Sequence, residues 1–194
     1  MTRLTLRVTL ALLLLGGASA VSQAADRALQ PLPPRVAGGA SMNVGAIQDA
    51  LPTLDLLITV QLLGGLLERQ GITLDAGATQ ELRVLLLPLL SREELRPADA
   101  RRLQASVDAV LSPSQELTLK QARAALEARA RAFMTRARFA TPDGPLNLTL
   151  IRYGLMVSGG QATVKAVVGA NVNPYVQAGV NAGLLTRLLK LLEP

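Results

Sequence analysis

The chain has 194 residues, with 20 Lys and Arg against 14 Asp and Glu, and a formal net charge of +6 at pH 7. It has no His, Cys or Trp, and its only aromatic residues are two Phe and two Tyr. These absences exclude an imidazole base, a Ser-His-Asp triad, a catalytic thiolate, a disulfide and a Cys/His zinc site.

Residues 1–24 have the three parts of a secretory signal peptide: two arginines, a short apolar run, and small residues before Ala20. A second run of small residues ends at Ala24. The sequence therefore allows cleavage either after Ala20 or after Ala24. The apolar run is much shorter than the roughly 20 residues that a membrane-spanning helix needs. We therefore expect an exported protein, either periplasmic or extracellular.

The segment 25–45 contains three prolines and a Gly-Gly pair but no apolar period, which predicts a flexible lead-in. A first helix should follow, capped by Thr53 and ended by Gly71. Its apolar residues surround the axis, which is typical of a helix that is buried on most sides. The apolar stretch Leu54–Leu67 is too short for a membrane span, so we interpret it as a core helix.

Asp75 predicts the N-cap of a second helix that reaches Leu90, with Pro88 near its end as a kink or stop. Two signals then compete for the start of a third helix. Ser91 begins a capping box, whereas Pro97 suits the first position of a helix that starts later. The sequence leaves this choice open.

The fourth helix has the clearest start, with Ser112 at the N-cap, Pro113 at N1 and Gln115 at N3. The helix should run to about residue 138. Four apolar side chains share one face of it: Leu119, Ala122, Leu126 and Phe133.

Without residues 1–24, which contain Arg3 and Arg7, the net charge is +4, and all of it lies in residues 92–138, which hold ten basic and six acidic residues. Such an excess favours an anionic partner, but it is also typical of a solvated helical face. Glu127 lies four residues from two of the arginines, so we expect part of this charge to be paired. The candidate macromolecule-binding residues share one face of the fourth helix: Lys120, Arg123, Arg131 and Arg138.

The last third of the chain is harder to interpret. After a break near Pro142, Leu146, Leu148 and Leu150 alternate with polar residues, which is a strand-like period. The Gly- and Val-rich remainder, up to residue 172, fits either a short helix or a strand. We therefore expect an irregular segment over 141–172.

Asn173 and Pro174 predict the N-cap and N1 positions of a C-terminal amphipathic helix over 173–194. Its leucine stripe must dock on its own domain or on a second copy of the chain. Together with a helical core over 46–140, these elements predict an all-α protein: a small domain of four to six helices with a partly irregular C-terminal third.

The stretch from Leu74 to Met134 resembles the Spy/CpxP-like periplasmic group of helical exported proteins, which carry a Leu-Thr-x-x-Gln signature. Residues 117–121, Leu-Thr-Leu-Lys-Gln, match this signature literally. Residues 111–115 resemble the Leu-Thr-Pro-Glu-Gln helix start of a broader set of uncharacterised bacterial exported proteins, with Ser112 in place of Thr and Ser114 in place of Glu. The resemblance implies an all-α fold, cradle-shaped dimers, and ATP-independent binding of unfolded clients on a basic, partly apolar surface.

The adjacent carboxylates Glu93 and Glu94 point to different sides of a helix, so they do not form a catalytic pair. We expect a non-enzymatic exported protein, without catalytic residues, cofactor or metal, that binds other macromolecules as a chaperone-like or envelope-stress protein. The partners left open are unfolded or envelope proteins, an anionic surface and a second copy in a homodimer; nucleic acid is not expected, because aromatic stacking residues are few. The alternative is a structural envelope-associated protein that contacts anionic lipid or surface polymer through its Arg-rich helices.

Overall fold

The computed structural model describes residues 44–137 and 147–193. Within these ranges the chain forms seven α-helices and one 3-10 turn. The helices are α1 (Val44–Glu68), α2 (Ala76–Leu86), α3 (Pro97–Val110), α4 (Pro113–Ala137), α5 (Leu148–Met156), α6 (Gly160–Ala170) and α7 (Val180–Leu191), and the 3-10 turn is Leu87–Leu90. The predicted all-α fold is confirmed for the described residues, but the helix count exceeds the expected four to six.

The predicted signal peptide, 1–24, lies outside the described residues. The predicted lead-in, 25–45, also lies outside them except for its last two residues, which already belong to α1. The break near Pro142 lies outside them as well. Export and the cleavage position therefore stay predictions.

Helix α1 is the central helix, because α3, α4, α5, α6 and α7 all pack against it. Its buried side chains point in all directions from the axis, as the sequence predicted, and include Leu54, Leu56, Leu57, Ile58 and Leu63. By length and composition alone, Gly45–Glu68 is the one described helix that is long and apolar enough to cross a membrane. However, 61% of its apolar window is buried inside the protein, as in a core helix.

The predicted start of α1 at Thr53 is wrong. The helix already includes Val44 and continues through Pro52, although a proline inside a helix removes one backbone hydrogen bond. Burial of Ile47 and Ala50 in the turns before Pro52 offsets this loss. Thr53 is itself buried, and its hydroxyl donates to the carbonyl oxygen of Leu95 at 3.4 Å.

Helix α1 ends in a Schellman motif in which the left-handed residue is Gln70, with φ of 55°, and not the predicted Gly71. The Gln70 amide donates to Leu67 O at 3.1 Å, and the Gly71 amide donates to Leu66 O at 2.8 Å. Gly71 is therefore the second residue after the cap. The two bonds satisfy carbonyls at the end of the helix that otherwise have no partner.

The N-cap of α2 is confirmed, since Asp75 Oδ1 accepts from the Ala78 amide at 2.7 Å. The helix ends at Leu86, and Pro88 lies in the following 3-10 turn, which agrees with its predicted role as a stop. Of the two predicted starts for α3, the structure has the later one, because the helix begins at Pro97. The Ser91 hydroxyl instead donates to Pro88 O at 3.3 Å, at the end of the 3-10 turn.

The strand-like and irregular interpretation of 141–172 is wrong for the described residues. Asn147 is a helix N-cap, whose Oδ1 accepts from the Leu150 amide at 3.0 Å, so the apparent alternation is a capping residue followed by the first turn of α5. The Gly- and Val-rich stretch forms α6, which buries Val164 and Val167. The period-2 pattern covered too few residues to distinguish a strand from a helix start.

The predicted start of the last helix is also wrong, because α7 begins at Val180 with Gly179 at its N-cap. Asn173 is fully buried in the preceding loop. Its Nδ2 donates to Leu89 O at 2.8 Å and to Arg92 O at 2.6 Å, and its Oδ1 accepts from the Tyr175 amide at 3.0 Å. The side chain thus ties this loop to the end of the 3-10 turn.

Two backbone hydrogen bonds also join the loop that contains Asn173 to the segment between the 3-10 turn and α3. Leu95 N donates to Asn171 O at 3.1 Å and Asn173 N donates to Glu93 O at 3.2 Å, which forms an isolated antiparallel bridge. Helix α7 then packs against α1 through Leu185 and Leu188. The helix therefore docks on its own domain, one of the two arrangements that its leucine stripe allows.

Replacing Asn173 by Ala should lower the free energy of unfolding by about 2–4 kcal/mol, since two carbonyls and one amide lose their buried partner. Urea denaturation of the full chain measures this change. The control is Gln121→Ala, an exposed amide residue on α4 that should change stability by about 0.5 kcal/mol or less. Equal effects of the two substitutions would contradict the role assigned to Asn173.

Candidate functional site

Helix α4 carries three of the four predicted binding residues, Lys120, Arg123 and Arg131, and its start is fixed as the sequence predicted. Ser112 N donates to Gln115 Oε1 at 2.8 Å, and Gln115 N donates to Ser112 Oγ at 3.4 Å. Gln115 Nε2 also donates to Thr73 O at 2.5 Å, which attaches the helix start to the segment before α2. These bonds satisfy the first-turn amides and position the helix.

Arg123 points inward rather than toward a partner. Its Nη2 donates to Asp55 Oδ1 on α1, and its Nε lies 3.6 Å from Glu127 Oε1. Both Arg123 and Asp55 are half-buried, with side-chain exposures of 32% and 31%. Burial lowers the pKa of the Arg123 guanidinium, but the charge of Asp55 and its hydrogen bond raise this pKa above its ordinary value.

Tyr153 on α5 completes a three-helix cluster around the same carboxylate. Its hydroxyl donates to Asp55 Oδ1 at 3.0 Å, and the Arg152 guanidinium lies 5.2 Å from the centroid of its ring. Burial, followed by the charge of Asp55 and its hydrogen bond, raises the pKa of Tyr153 to about 12. The cluster of Asp55, Arg123 and Tyr153 joins α1, α4 and α5, and we assign it a structural role.

Two other predicted binding residues are paired with neighbours on their own helix. Lys120 Nζ lies 2.5 Å from Glu116 Oε1, and the hydrogen bond to that carboxylate raises the pKa of Lys120. Arg131 Nη2 lies 3.2 Å from Glu127 Oε2. The predicted pairing of Glu127 with both arginines is therefore confirmed. Arg138 lies outside the described residues.

A different face of α4 carries unpaired charge. Arg129, Phe133 and Arg136 follow each other at i, i+4 and i+7, so they share one face of the helix. Among the described residues, neither arginine has an acidic partner, and Phe133 is 59% exposed. We call these three residues the Arg–Phe face. Phe133 shares the apolar face predicted for this helix but is exposed, because the buried side of α4 continues through Ala130.

The sequence contains a signal for each feature that was missed. Asp55 is a carboxylate in the middle of a long apolar helix, and such a group needs a partner when the helix is buried. On α4, the predicted basic face also contains Glu116 and Glu127, whereas the Arg–Phe face contains no acidic residue. Counting opposite charges at i±4 separates the paired cations from the unpaired ones.

The acidic residues of the described ranges do not gather into a group of three or more that could hold a metal ion. No protein-family model, curated protein or solved structure matches the chain. The resemblance to the Spy/CpxP-like group therefore stays a prediction.

Arg123→Ala should lower the free energy of unfolding by about 1–3 kcal/mol, since it leaves the half-buried Asp55 with an unpaired charge. Arg131→Ala, on an exposed pair of the same helix, should change it by about 0.5 kcal/mol or less. Urea denaturation compares the two variants. A neutral effect of Arg123→Ala would remove the structural role of the Asp55 cluster.

Tyr153→Phe should lower the free energy of unfolding by about 1–2 kcal/mol at pH 7, because the hydroxyl loses a charged acceptor. In the parent protein the unfolded tyrosine ionises near its ordinary pKa of 10, whereas the folded one ionises near 12. Between these values the unfolded state binds fewer protons than the folded state, so stability falls as pH rises from about 10 to about 12.

Tyr153→Phe should lose the part of this decline in stability that the ionisation of Tyr153 causes. Denaturation at several pH values measures the difference. Tyr175→Phe is the matched control for the effect at pH 7. Tyr175 is 2% exposed, its hydroxyl has no hydrogen-bond partner among the described residues, and burial raises its pKa. Its replacement should leave stability at pH 7 unchanged or slightly higher. A loss of stability at pH 7 in Tyr175→Phe but not in Tyr153→Phe would reverse the two assignments.

Proposed function

We propose that this protein is a non-enzymatic exported protein that binds other polypeptides in a chaperone-like way. The observation that carries the proposal is the Arg–Phe face, an exposed aromatic ring between two unpaired guanidinium groups. Aromatic residues and arginine are enriched at protein interfaces, where a ring supplies apolar contact and a guanidinium group pairs with carboxylates. Unfolded polypeptides present both kinds of group.

The position of the face within the fold supports this proposal. Helix α4 is anchored by its buried residues and by Arg123, so Arg129 and Arg136 are not needed to hold it in place. Exposure of Phe133 costs free energy that the fold does not recover within the described residues. A bound partner that covers Phe133 would recover it.

The alternative proposal is a structural role at an anionic lipid or polymer surface of the cell envelope. The same face would serve it, with Phe133 at the boundary of the acyl chains and the arginines against phosphate groups. Polypeptide binding is preferred because the face is short, and three residues give weak adsorption to a membrane, where each arginine contributes only about 1 kcal/mol. The two proposals differ in their dependence on salt and on the partner.

The purified protein without its first 24 residues should suppress the aggregation of several unfolded clients without ATP, as measured by light scattering. A variant with Arg129→Gln, Phe133→Ser and Arg136→Gln should lose most of this effect, because it removes the unpaired charges and the exposed ring. The matched control, Lys120→Gln with Arg131→Gln, changes paired cations on the same helix and should keep the activity.

Absence of suppression by the parent protein would refute the chaperone-like function, and equal loss in both variants would refute its assignment to the Arg–Phe face. Sedimentation with anionic vesicles tests the alternative. Binding at low salt that is lost at high salt, without any effect on client aggregation, would favour the envelope role.

A further inference from the structure

A cleft of about 230 Å³ lies between α6 and α7, on a part of the fold that the Arg–Phe face does not include. Its lining is mostly small and apolar, with Ala162, Ala166 and Val180 among the residues that form it. All its lining residues are described, and none of them is charged. The volume is below the roughly 300–1,000 Å³ of sites for drug-sized ligands, so the cleft suits a group the size of a single residue.

Asn181 brings an unused hydrogen-bond acceptor to this cleft. The residue is only 7% exposed, and its Nδ2 donates to Ser158 O at 3.0 Å and to Thr163 Oγ1 at 3.3 Å. These two bonds fix the orientation of the amide, and its Oδ1 accepts no hydrogen bond from the described residues. Such an acceptor inside a mostly apolar cleft favours a ligand that donates an N–H or O–H group.

The glycine at the entry of α6 makes this arrangement possible. Gly159 has a φ of 83°, and a Cβ at this position would collide with Thr163 Oγ1 and lie 3.5 Å from Asn181 Nδ2. Any larger residue would displace the Thr163 hydroxyl, which is one of the two acceptors that hold the Asn181 amide. The orientation of the acceptor is therefore built into the backbone of the α5–α6 connection.

The cleft also borders donors. Gly179 is the N-cap of α7 and has no side chain to accept from the first-turn amides. The first backbone bond of this helix runs from Gly183 N to Gly179 O at 3.0 Å, so the amides of Val180, Asn181 and Ala182 precede the helical ladder. Val180 and Asn181 belong to the cleft lining. The lining of the cleft therefore combines the free acceptor of Asn181 with two residues whose backbone amides have no partner in the helix.

We propose that this cleft binds one uncharged peptide group of a partner polypeptide, together with a small aliphatic side chain. The peptide N–H donates to Asn181 Oδ1, and its carbonyl oxygen accepts from the first-turn amides of α7. A carboxylate fits less well, because Asn181 Oδ1 would face its negative charge. The inference deepens the proposed function, on which it rests for the class of partner.

The test titrates the blocked peptide N-acetyl-Ala-Val-methylamide into isotopically labelled protein and follows the backbone amide signals by NMR. Signals of Thr163, Val180, Asn181 and Ala182 should shift in a saturable way. An analogue with an ester oxygen in place of the Val N–H should bind roughly three- to tenfold more weakly, which is the loss expected for one hydrogen bond.

Ala166→Leu fills the cleft without touching the hydrogen bonds of Asn181, and it should abolish the shifts. Ala170→Leu, on the same helix but outside the cleft lining, should leave them unchanged. Shifts that persist in Ala166→Leu, or equal binding of the amide and the ester, would overturn the proposal. So would the absence of saturable shifts in the parent protein.

These outcomes are distinguishable from those of the Arg–Phe face. If the blocked peptide binds but client aggregation is not suppressed, peptide binding by the cleft is supported and the chaperone-like function is refuted. If aggregation is suppressed equally by the parent and by Ala166→Leu, and the peptide causes no shifts, the proposed function stands without the cleft.

Discussion

Burial of α1 is the constraint on which the rest of this fold depends. The helix is apolar around its whole circumference, so no single neighbour can cover it. Five other helices pack against it, including α7 from the far end of the chain. The short helices α5, α6 and α7 would be marginal in isolation, and they gain their stability from this packing.

The few polar groups of α1 determine where its neighbours lie. Thr53 donates to the carbonyl before α3, and Asp55 accepts from Arg123 and Tyr153. Two turns further on, Gln61 Oε1 accepts from both the amide and the hydroxyl of Ser158, at 3.0 and 2.8 Å. Apolar contacts alone tolerate sliding, whereas a half-buried polar atom must meet its partner at one position. Each of these groups therefore fixes the register of a different part of the chain.

Helix α4 shows how the same rule separates structural from functional residues. Spacing at i±4 already separates its paired cations from Arg129 and Arg136, but only the fold shows that Arg123 also binds Asp55. Local spacing identified the pairing of Glu127, because that interaction stays within one helix. The partner of Arg123 lies 68 residues away, and no local pattern could identify it.

The C-terminal third illustrates the same difference. Asn173 carries the signature of a helix cap, and only its burial against Leu89 and Arg92 shows that it closes a loop instead. The cleft at Asn181 has no sequence signature, since it needs the α5–α6 connection, the loop before α7 and the start of α7 at one place.

The all-α class, the caps of α2 and α4, the burial of α1 on most sides and the pairing of Glu127 could all be predicted from the sequence. All of these depend on residues within a few turns of each other, where propensity and spacing decide. The start of α7 and the partners of Asp55 became known only once the helices were seen packed together. Those outcomes depend on desolvation by residues far away in the chain, which sets the free energy of a polar group only after the helices have packed.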